Sequence, residues 1–399
     1  MTRTRNLVVG TGFVAAALAL GVGQHLVEQR ASAQAKTAVQ APRFEVDPMW
    51  PKPLPNHWLY GNVIGVGVDG RDHVFIIHRG EGNLNPKEIY ATANPPAAEC
   101  CNVAPPILEF DPDGNMVKAW GGPGQGFEWP ESNHGITPDS KGNLWIGGNG
   151  ANDGHILKFT RDGKFVKQFG FAYASAGSND MWAFNKVAKI SLDESANEAY
   201  VADGYGNHRV AVIDMDTGKI KRYWGAYANK PDDTNLGRYN PTAPPAQQFR
   251  NPVHCAVPSN DGLVYVCDRP NDRIQVFTKD GKLQKEAIVA KTTLGDGSVW
   301  DIAFSRDPQQ KYFYLADGAN EKVRVFDRQS LTELTTFGDG GRYPGAFYAV
   351  HSIATDSKGN IYTTETYEGK RVQRFVYKGL APVTKKDQGV VWPTKTTSH

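Results

Sequence analysis

From residue 60 onward, short runs of alternating apolar and polar positions recur in one order along the chain. Each copy contains an apolar segment, a turn such as Asp-x-x-Gly-Asn, and a second apolar segment that ends in Asp-Gly or Asp-Arg. A run such as Arg-Val-x-x-Phe and a final segment complete the copy. Alternation with a period of two residues between such turns predicts short β-strands. Six copies can be aligned, and they begin at Val63, His134, Val187, Pro252, Val299 and Val350.

The repeat length and strand number favour one fold class. Repeats of about 40–60 residues that each hold four strands are typical of β-propeller blades, whereas a solenoid uses a shorter repeat. The sixth copy lacks a clear fourth strand, and we expect the N-terminal stretch Arg43–Asp47 to supply it. The chain is therefore predicted to be an all-β, six-bladed β-propeller whose ring is closed by an N-terminal strand.

Two insertions interrupt the repeats, and both ends of the chain fall outside them. Asn83–Pro106 and Ala226–Gln248 are rich in Pro and Asn, so we expect them to be loops that cover one face of the ring. The predicted organisation is a signal peptide at 1–33, an N-terminal segment with the closing strand at 34–59, the propeller at 60–380 and a polar C-terminal tail at 381–399.

The first 33 residues have the pattern of a secretory signal peptide. Arg3 and Arg5 precede an uncharged apolar run, Leu7 to Gly23, and Ala31-Ser32-Ala33 forms a cleavage site before Gln34. The alternative is an uncleaved membrane anchor, because the apolar run is at the short limit of a membrane span. Cleavage near Ala33-Gln34 would give a periplasmic or secreted protein with no further membrane span.

Charge excludes two broad classes of protein. The formal net charge is +2, and the three arginines and one glutamate of residues 1–33 account for this excess. The remaining chain is neutral and the whole chain is 11% aromatic, unlike a disordered polyelectrolyte. A nucleic-acid binder would show a basic stripe, so a small molecule or a peptide is the expected partner.

The four cysteines form two candidate pairs. Cys255 and Cys267 flank a predicted hairpin turn, Asn260-Asp261-Gly262, and fall opposite each other. A cross-strand disulfide and two buried free thiols are both compatible with this placement. Cys100 and Cys101 are adjacent in a Pro-rich loop and could form a vicinal disulfide, so neither pairing is decided by the sequence.

Three histidines share one position of the repeat. His134, His254 and His351 each lie five residues before the residue that ends the first apolar segment of copies two, four and six. Because that segment lines the channel of a propeller, the three side chains are expected to meet on the axis about 120° apart. Three imidazoles with an open position are typical of a catalytic zinc site, although iron and copper also accept imidazole ligands. The coincidence among only ten histidines favours a metal site over ordinary buried polar residues.

Tyr205 and Arg79 end second segments and are predicted at the rim of this site. A tyrosine near a divalent metal can ionise and act as a base, and an arginine can bind a carboxylate with two hydrogen bonds. Taken alone, each residue favours an ordinary structural role, Tyr205 as a packed turn residue and Arg79 as a partner in an ion pair between blades.

The repeats resemble those of NHL-repeat propellers, and among these the peptidyl-α-hydroxyglycine α-amidating lyase family, over about residues 60–377. The matching pieces are Ile77-His78-Arg79-Gly80, Asn133-His134-Gly135, Asp203-Gly204-Tyr205, Val253-His254, Asp268-Arg269 and Val350-His351. The resemblance implies that the three histidines bind one catalytic zinc, that Tyr205 is the base and that Arg79 acts at the active site. The implied reaction cleaves the C–N bond of an α-hydroxylated amide to an amide and glyoxylate, with Arg79 and Arg269 binding the substrate.

The sequence departs from this family at a second, structural metal. In the family an Asp follows the third histidine and helps hold a calcium ion, together with backbone carbonyls at the positions of Val66 and Ile136. Ser352 stands in place of that Asp, which puts the calcium in doubt. Two other functions stay open: a metal-dependent hydrolase or lactonase on the same scaffold, and a non-enzymatic NHL-repeat binding protein.

Overall fold

Six four-stranded sheets surround a central axis in the computed structural model, which describes residues 39–173 and 175–393. The first strands of successive blades contact one another in a closed cycle from blade one to blade six and back to blade one. The predicted six-bladed β-propeller is therefore confirmed. The predicted signal peptide lies outside the described residues. Within them, no helix is long and apolar enough to cross a membrane.

Each blade is an antiparallel sheet, and its strands are numbered here from the axis outward. Blade one consists of Val63–Val68, Val74–His78, Ile107–Phe110 and Met116–Trp120, and blade two of Asn133–Pro138, Asn143–Gly148, His155–Thr160 and Phe165–Gly170. Blade three consists of Val187–Asp193, Glu198–Asp203, Arg209–Asp214 and Ile220–Trp224, and blade four of Val253–Pro258, Leu263–Asp268, Arg273–Thr278 and Leu283–Ile288. Blade five consists of Asp301–Phe304, Tyr312–Asp317, Lys322–Asp327 and Thr332–Phe337, and blade six of Val350–Thr355, Ile361–Glu365, Arg371–Pro382 and Gln40–Asp47.

Small elements occur in the connections. Trp58–Leu59 and Asn102–Val103 form a short parallel pair that ties the insertion of blade one to the N-terminal segment. The 3₁₀ helices of the described chain are Glu81–Asn83, Tyr90–Thr92, Glu194–Ala196, Ala226–Ala228 and Arg269–Asn271.

The N-terminal strand closes the ring as predicted. Gln40–Asp47 pairs antiparallel with Arg371–Pro382 and becomes the outer strand of blade six. Phe44 is 3% exposed and packs against Tyr314 and Phe337 of blade five. The closing strand therefore joins the first and last parts of the chain and also fills the interface between two blades.

Buried ion pairs explain the recurring Asp and Arg of the repeat. Asp203 ends the second strand of blade three, and its carboxylate accepts a hydrogen bond from Arg209 Nε at 2.8 Å. Asp268 and Arg273 make the same contact in blade four at 2.9 Å, and all four side chains are at most 1% exposed. Because charged hydrogen bonds of this kind are strong, they fix the loop between the second and third strands.

The structure pairs all four cysteines. Cys255 and Cys267 lie opposite each other on the first two strands of blade four and form a disulfide. Cys100 and Cys101 form a disulfide in the insertion of blade one. Both pairings that the sequence left open are therefore made.

Because each blade is antiparallel, its second strand ends at the face of the ring where its first strand begins. Loops after second strands and loops before first strands therefore lie on the same face. The long insertions 79–106 and 225–252 belong to these two classes. Both therefore rise on the face where the first strands begin, which is also where the predicted histidines lie.

Candidate metal centre

His134, His254 and His351 meet on the axis of the ring. Each is the second residue of a first strand, and each strand shifts register with its neighbour at this point. Such a β-bulge redirects a side chain, here toward the channel. The histidines are 0–2% exposed, and their ligand nitrogens all lie within 4.8 Å of one another. The structure thus brings together the three residues that the repeat position singled out.

Backbone carbonyls orient two of the imidazoles. His134 Nδ1 lies 2.7 Å from the Ala188 carbonyl oxygen, and His254 Nδ1 lies 2.5 Å from that of Trp300. A carbonyl oxygen only accepts, so each Nδ1 carries the proton and donates. Each Nε2 therefore presents a lone pair toward the axis, which is the state that a metal ligand requires.

The third imidazole is held through a hydroxyl. His351 Nδ1 lies 3.1 Å from Ser352 Oγ, and that hydroxyl donates to the Ile64 carbonyl oxygen at 3.1 Å. The proton of Ser352 is used on Ile64, so its oxygen accepts from Nδ1. His351 consequently has the same tautomer as the other two, with Nε2 unprotonated.

The surroundings keep all three histidines neutral. Burial is the main cause that lowers the pKa of each imidazole well below its usual value. The positive charge of Arg79 lowers the pKa of His134 further, and that of Arg269 lowers the pKa of His254. Neutral imidazoles are the form that binds a transition metal.

Tyr205 reaches the same point from the loop after the second strand of blade three. Its hydroxyl oxygen lies 3.0 Å from Nε2 of both His134 and His254. The hydroxyl has one proton, whereas both Nε2 atoms are acceptors, so one of these contacts lacks a donor. More lone pairs therefore point to the axis than there are protons to share, and a cation would satisfy them. Three imidazole nitrogens suit zinc or a similar metal.

Burial also affects Tyr205. It raises the pKa of the phenol, while Arg269 and Arg79 oppose this rise. Arg269 Nη1 donates to the Tyr205 hydroxyl at 3.3 Å. A bound cation would shift the balance further toward the phenolate.

The two predicted arginines flank Tyr205 but differ in their partners. Arg269 is paired with Asp296, at 3.1 Å from Nη2 to Oδ1, and its guanidinium lies 4.2 Å above the Trp300 ring. Arg79 donates to Asn149 Oδ1 at 2.8 Å. Among the described residues no carboxylate lies within ion-pair distance of Arg79, so its charge is available to an anionic ligand.

Sequence reasoning missed several neighbours of the centre. Trp300 occupies the histidine position of blade five, and its ring centroid lies 5.6 Å from that of His351. Asp296 is held by the Tyr367 hydroxyl at 2.8 Å, and Asn149 positions Arg79. Repeat positions could have identified three of these residues. Trp300 shares the histidine position, Asn149 directly follows a second strand as Arg79 does, and Tyr367 lies two residues after a second strand as Tyr205 does, whereas Asp296 lies in the loop before blade five.

The residues at the implied calcium position do not fit a calcium ion. Val66, Ile136 and Ser352 line a small chamber directly beneath the histidines, and Lys189 and Asp301 line it as well. Lys189 Nζ lies 2.6 Å from Asp301 Oδ1. Calcium requires six to eight oxygen ligands, whereas this chamber already contains an ammonium group.

The chain is similar to known proteins of two kinds. It is 25% identical to peptidylglycine alpha-amidating monooxygenase of Rattus norvegicus over 229 residues, which cover 56% of this chain and 21% of the rat protein. It is 25% identical to NHL repeat-containing protein 3 of Mus musculus over 370 residues, which cover 88% of this chain and 89% of the mouse protein. These similarities confirm the predicted resemblance to NHL-repeat propellers and amidating enzymes. No family model matches the chain.

A solved structure supports the fold. The structure of a streptogramin B lyase superposes with a TM-score of 0.50 at 13% identity and covers 85% of this chain and 98% of that chain. At this identity the similarity concerns the fold alone. The chain spans about a fifth of the length of the rat amidating monooxygenase, so that protein's activity is not established for this chain.

Proposed function

We propose that this propeller is an exported, metal-dependent lyase that cleaves the C–N bond of an α-hydroxylated amide. The observation that carries the proposal is the convergence of three neutral imidazoles on Nε2, with the Tyr205 hydroxyl 3.0 Å from two of them. The similarity to amidating monooxygenases over 56% of the chain supports this reaction class. The two disulfides and the N-terminal pattern support export.

His134, His254 and His351 would hold the metal, which we propose to be zinc. A divalent metal at this position supplies Lewis acidity that lowers the pKa of a substrate hydroxyl. Tyr205 accepts the hydroxyl proton, because its oxygen is beside the ligand nitrogens. Burial raises the pKa of this phenol, so a bound cation would be needed together with Arg269 and Arg79 to favour its ionised form.

The reaction balances without a further reagent. As the C–O bond becomes a carbonyl, the C–N bond breaks and the electron pair leaves with the amide nitrogen. The proton held by Tyr205 passes to that nitrogen. The products are a primary amide and an aldehyde, which is glyoxylate when the substrate carries a carboxylate on the same carbon.

Arg79 is the proposed anchor for that carboxylate. It interacts electrostatically with Tyr205, and no acidic side chain of the described chain lies within ion-pair distance of it. A guanidinium can bind a carboxylate through two parallel hydrogen bonds. Arg269 adds positive potential, although Asp296 offsets part of it.

Metal analysis and a substrate assay test the proposal together. Protein purified without added metal should contain about one equivalent of a divalent transition metal, and it should convert α-hydroxyhippurate to benzamide and glyoxylate. Tyr205→Phe should keep the metal and the melting temperature while turnover falls about 10²–10⁴-fold, the usual value of a general base. Tyr343→Phe is the matched control, because this tyrosine is 49% exposed.

Each alternative function has its own outcome in this assay. Hydrolysis of esters or lactones without carbinolamide cleavage would show a metal-dependent hydrolase and overturn the lyase proposal. Absence of bound metal would favour a binding propeller. Unchanged turnover per folded molecule in Tyr205→Phe would remove this residue from the mechanism.

A further inference from the structure

A small chamber lies on the axis beneath the histidines. It is lined by Gly65, Val66, Ile136, Lys189, Asp301 and Ser352, and by His134 and His254 on one side. The space that the centre of a water molecule could reach is about 10 Å³, which admits one water at most. Side chains therefore fill the channel at this level.

An ion pair crosses the chamber between two blades that are not neighbours. Lys189 extends from the first strand of blade three, and its Nζ lies 2.6 Å from Asp301 Oδ1 on the first strand of blade five. The two side chains are 17% and 2% exposed. A carboxylate buried to this degree needs a compensating charge, because removing it from water costs several kcal/mol.

Asp301 also connects the pair to blade six. Its Oδ2 accepts a hydrogen bond from the Ile353 backbone N–H at 3.1 Å, and its Oδ1 accepts one from the Ile302 N–H at 2.8 Å. Burial raises the pKa of Asp301, while Lys189 opposes this rise. The ammonium therefore stabilises a carboxylate that links blade five to blade six.

We propose that Lys189 is a covalently attached structural cation that takes the place of a metal ion in the channel. It neutralises Asp301, joins blades three, five and six across the axis and closes the channel below the histidines. Ser352 agrees with this arrangement, since its neutral hydroxyl is used between His351 and Ile64 and adds no negative charge. The protein consequently needs no calcium in this chamber. This inference does not depend on the proposed lyase activity.

Thermal unfolding with and without millimolar calcium chloride tests the proposal. The wild-type melting temperature should not change with calcium. Lys189→Ala leaves Asp301 unpaired in an emptied chamber, so it should melt lower and recover part of the loss when calcium is added. Lys189→Ala combined with Asp301→Asn should not respond to calcium, because the carboxylate is gone. Lys141→Ala is the matched control, since Lys141 is exposed.

Two results would overturn the proposal. One is a calcium-dependent rise in the wild-type melting temperature, and the other is a Lys189→Ala protein that does not respond to calcium. If Lys189→Ala does not fold, the metal content of wild-type protein dialysed against millimolar calcium decides. Protein that contains about one equivalent of transition metal and no calcium would support Lys189 as the cation of the chamber. Protein that contains a stoichiometric calcium ion would refute the proposal.

Discussion

At the scale of single residues, the two arginines beside Tyr205 have different electrostatic roles. Arg269 is paired with Asp296 and stacked over Trp300, so most of its charge is used within the protein. Arg79 contacts only neutral groups of the described chain, the Asn149 side chain and the Asn133 carbonyl. Burial lowers the pKa of its guanidinium, which reflects the cost of a poorly compensated charge. An anionic ligand would remove that cost.

Arg79→Ala should therefore weaken binding of carboxylate-bearing substrates more than of neutral ones. A hydrogen bond to a charged group contributes about 1.5–3 kcal/mol, which corresponds to a rise in KM of about 10- to 100-fold for α-hydroxyhippurate. The KM of a substrate in which an amide replaces the carboxylate should change much less. Steady-state kinetics with both substrates measures this ratio, and Arg269→Ala should show a smaller difference between them. Equal losses for both substrates would contradict a role in carboxylate binding.

Site residues that occupy a shared position of the repeat, or that belong to a motif, could be found from the sequence. The three histidines share one position in alternate copies, and Tyr205 and Arg79 follow the ends of second strands. Lys189 and Asp301 both follow the shared histidine position, in copies three and five, but the repeat does not show that these two side chains contact each other across the channel. Asp296 was not predictable, since it lies in the loop before blade five and shares no position with the other copies.

At the scale of elements, the stability of blade six depends on the closing strand, which comes from the other end of the sequence. The outer strand of a blade is an edge unless it is paired, and here its partner comes from the opposite end of the sequence. Residues after it contribute as well, since the Val46 N–H donates to the Val391 carbonyl oxygen at 2.7 Å. The interface between blades five and six thus depends on segments outside the repeats.

Phe44→Ala should destabilise the ring, because it removes a fully buried ring from the interface between blades five and six. The expected loss in the free energy of unfolding is about 3–5 kcal/mol, the usual cost of truncating a core phenylalanine. Arg43→Ala on the same strand is the matched control, since Arg43 is exposed and such changes stay within about 0.5 kcal/mol. Denaturant unfolding of both variants measures the difference. Similar midpoints for the two would show that the closing strand adds little.

A loop of blade five gives stability a dependence on pH. Glu321 accepts a hydrogen bond from the Ala349 N–H at 2.6 Å, and burial raises its pKa to about 7. The folded protein therefore holds a proton that the unfolded chain releases near its ordinary value, so folding becomes less favourable as pH rises from about 4.5 to about 7. Above that window the penalty is constant.

Glu321→Gln should remove this penalty. The melting temperature of the variant relative to wild type should be higher at pH 8 than at pH 5, because Gln can still accept from Ala349 and carries no charge. Glu368→Gln, on an exposed residue, serves as the control. Thermal unfolding across pH 4–8 provides the measurement, and a difference independent of pH would exclude Glu321 as the cause.

Element boundaries were largely predictable, with errors where strands gain partners from outside their repeat. The closing strand was predicted at Arg43–Asp47 and extends over Gln40–Asp47. Its partner strand extends over Arg371–Pro382, because the two strands lengthen each other by pairing.

At the scale of the whole molecule, metal binding at the candidate centre and the stability of the ring are expected to be coupled. The three histidines come from blades two, four and six, so a bound metal would connect every second blade at the axis. The unfolded chain does not hold the three histidines in this arrangement. The free energy of metal binding would therefore add to the free energy of folding. Stability of the entire ring should then depend on a single ion.

Removal of the metal by a chelator should therefore lower the melting temperature of the whole protein in one transition. A ligand present at about 100 times its dissociation constant stabilises the folded state by about 2.7 kcal/mol, so the shift should be several degrees. One equivalent of zinc should restore the original value. His254→Ala should lack most of the metal and should not respond to the chelator, because two imidazoles remain. Calorimetry combined with metal analysis of the same samples makes the measurement. Equal melting temperatures of wild-type protein before and after chelation, with the metal shown to be removed, would mean that the histidines and the ring are not coupled.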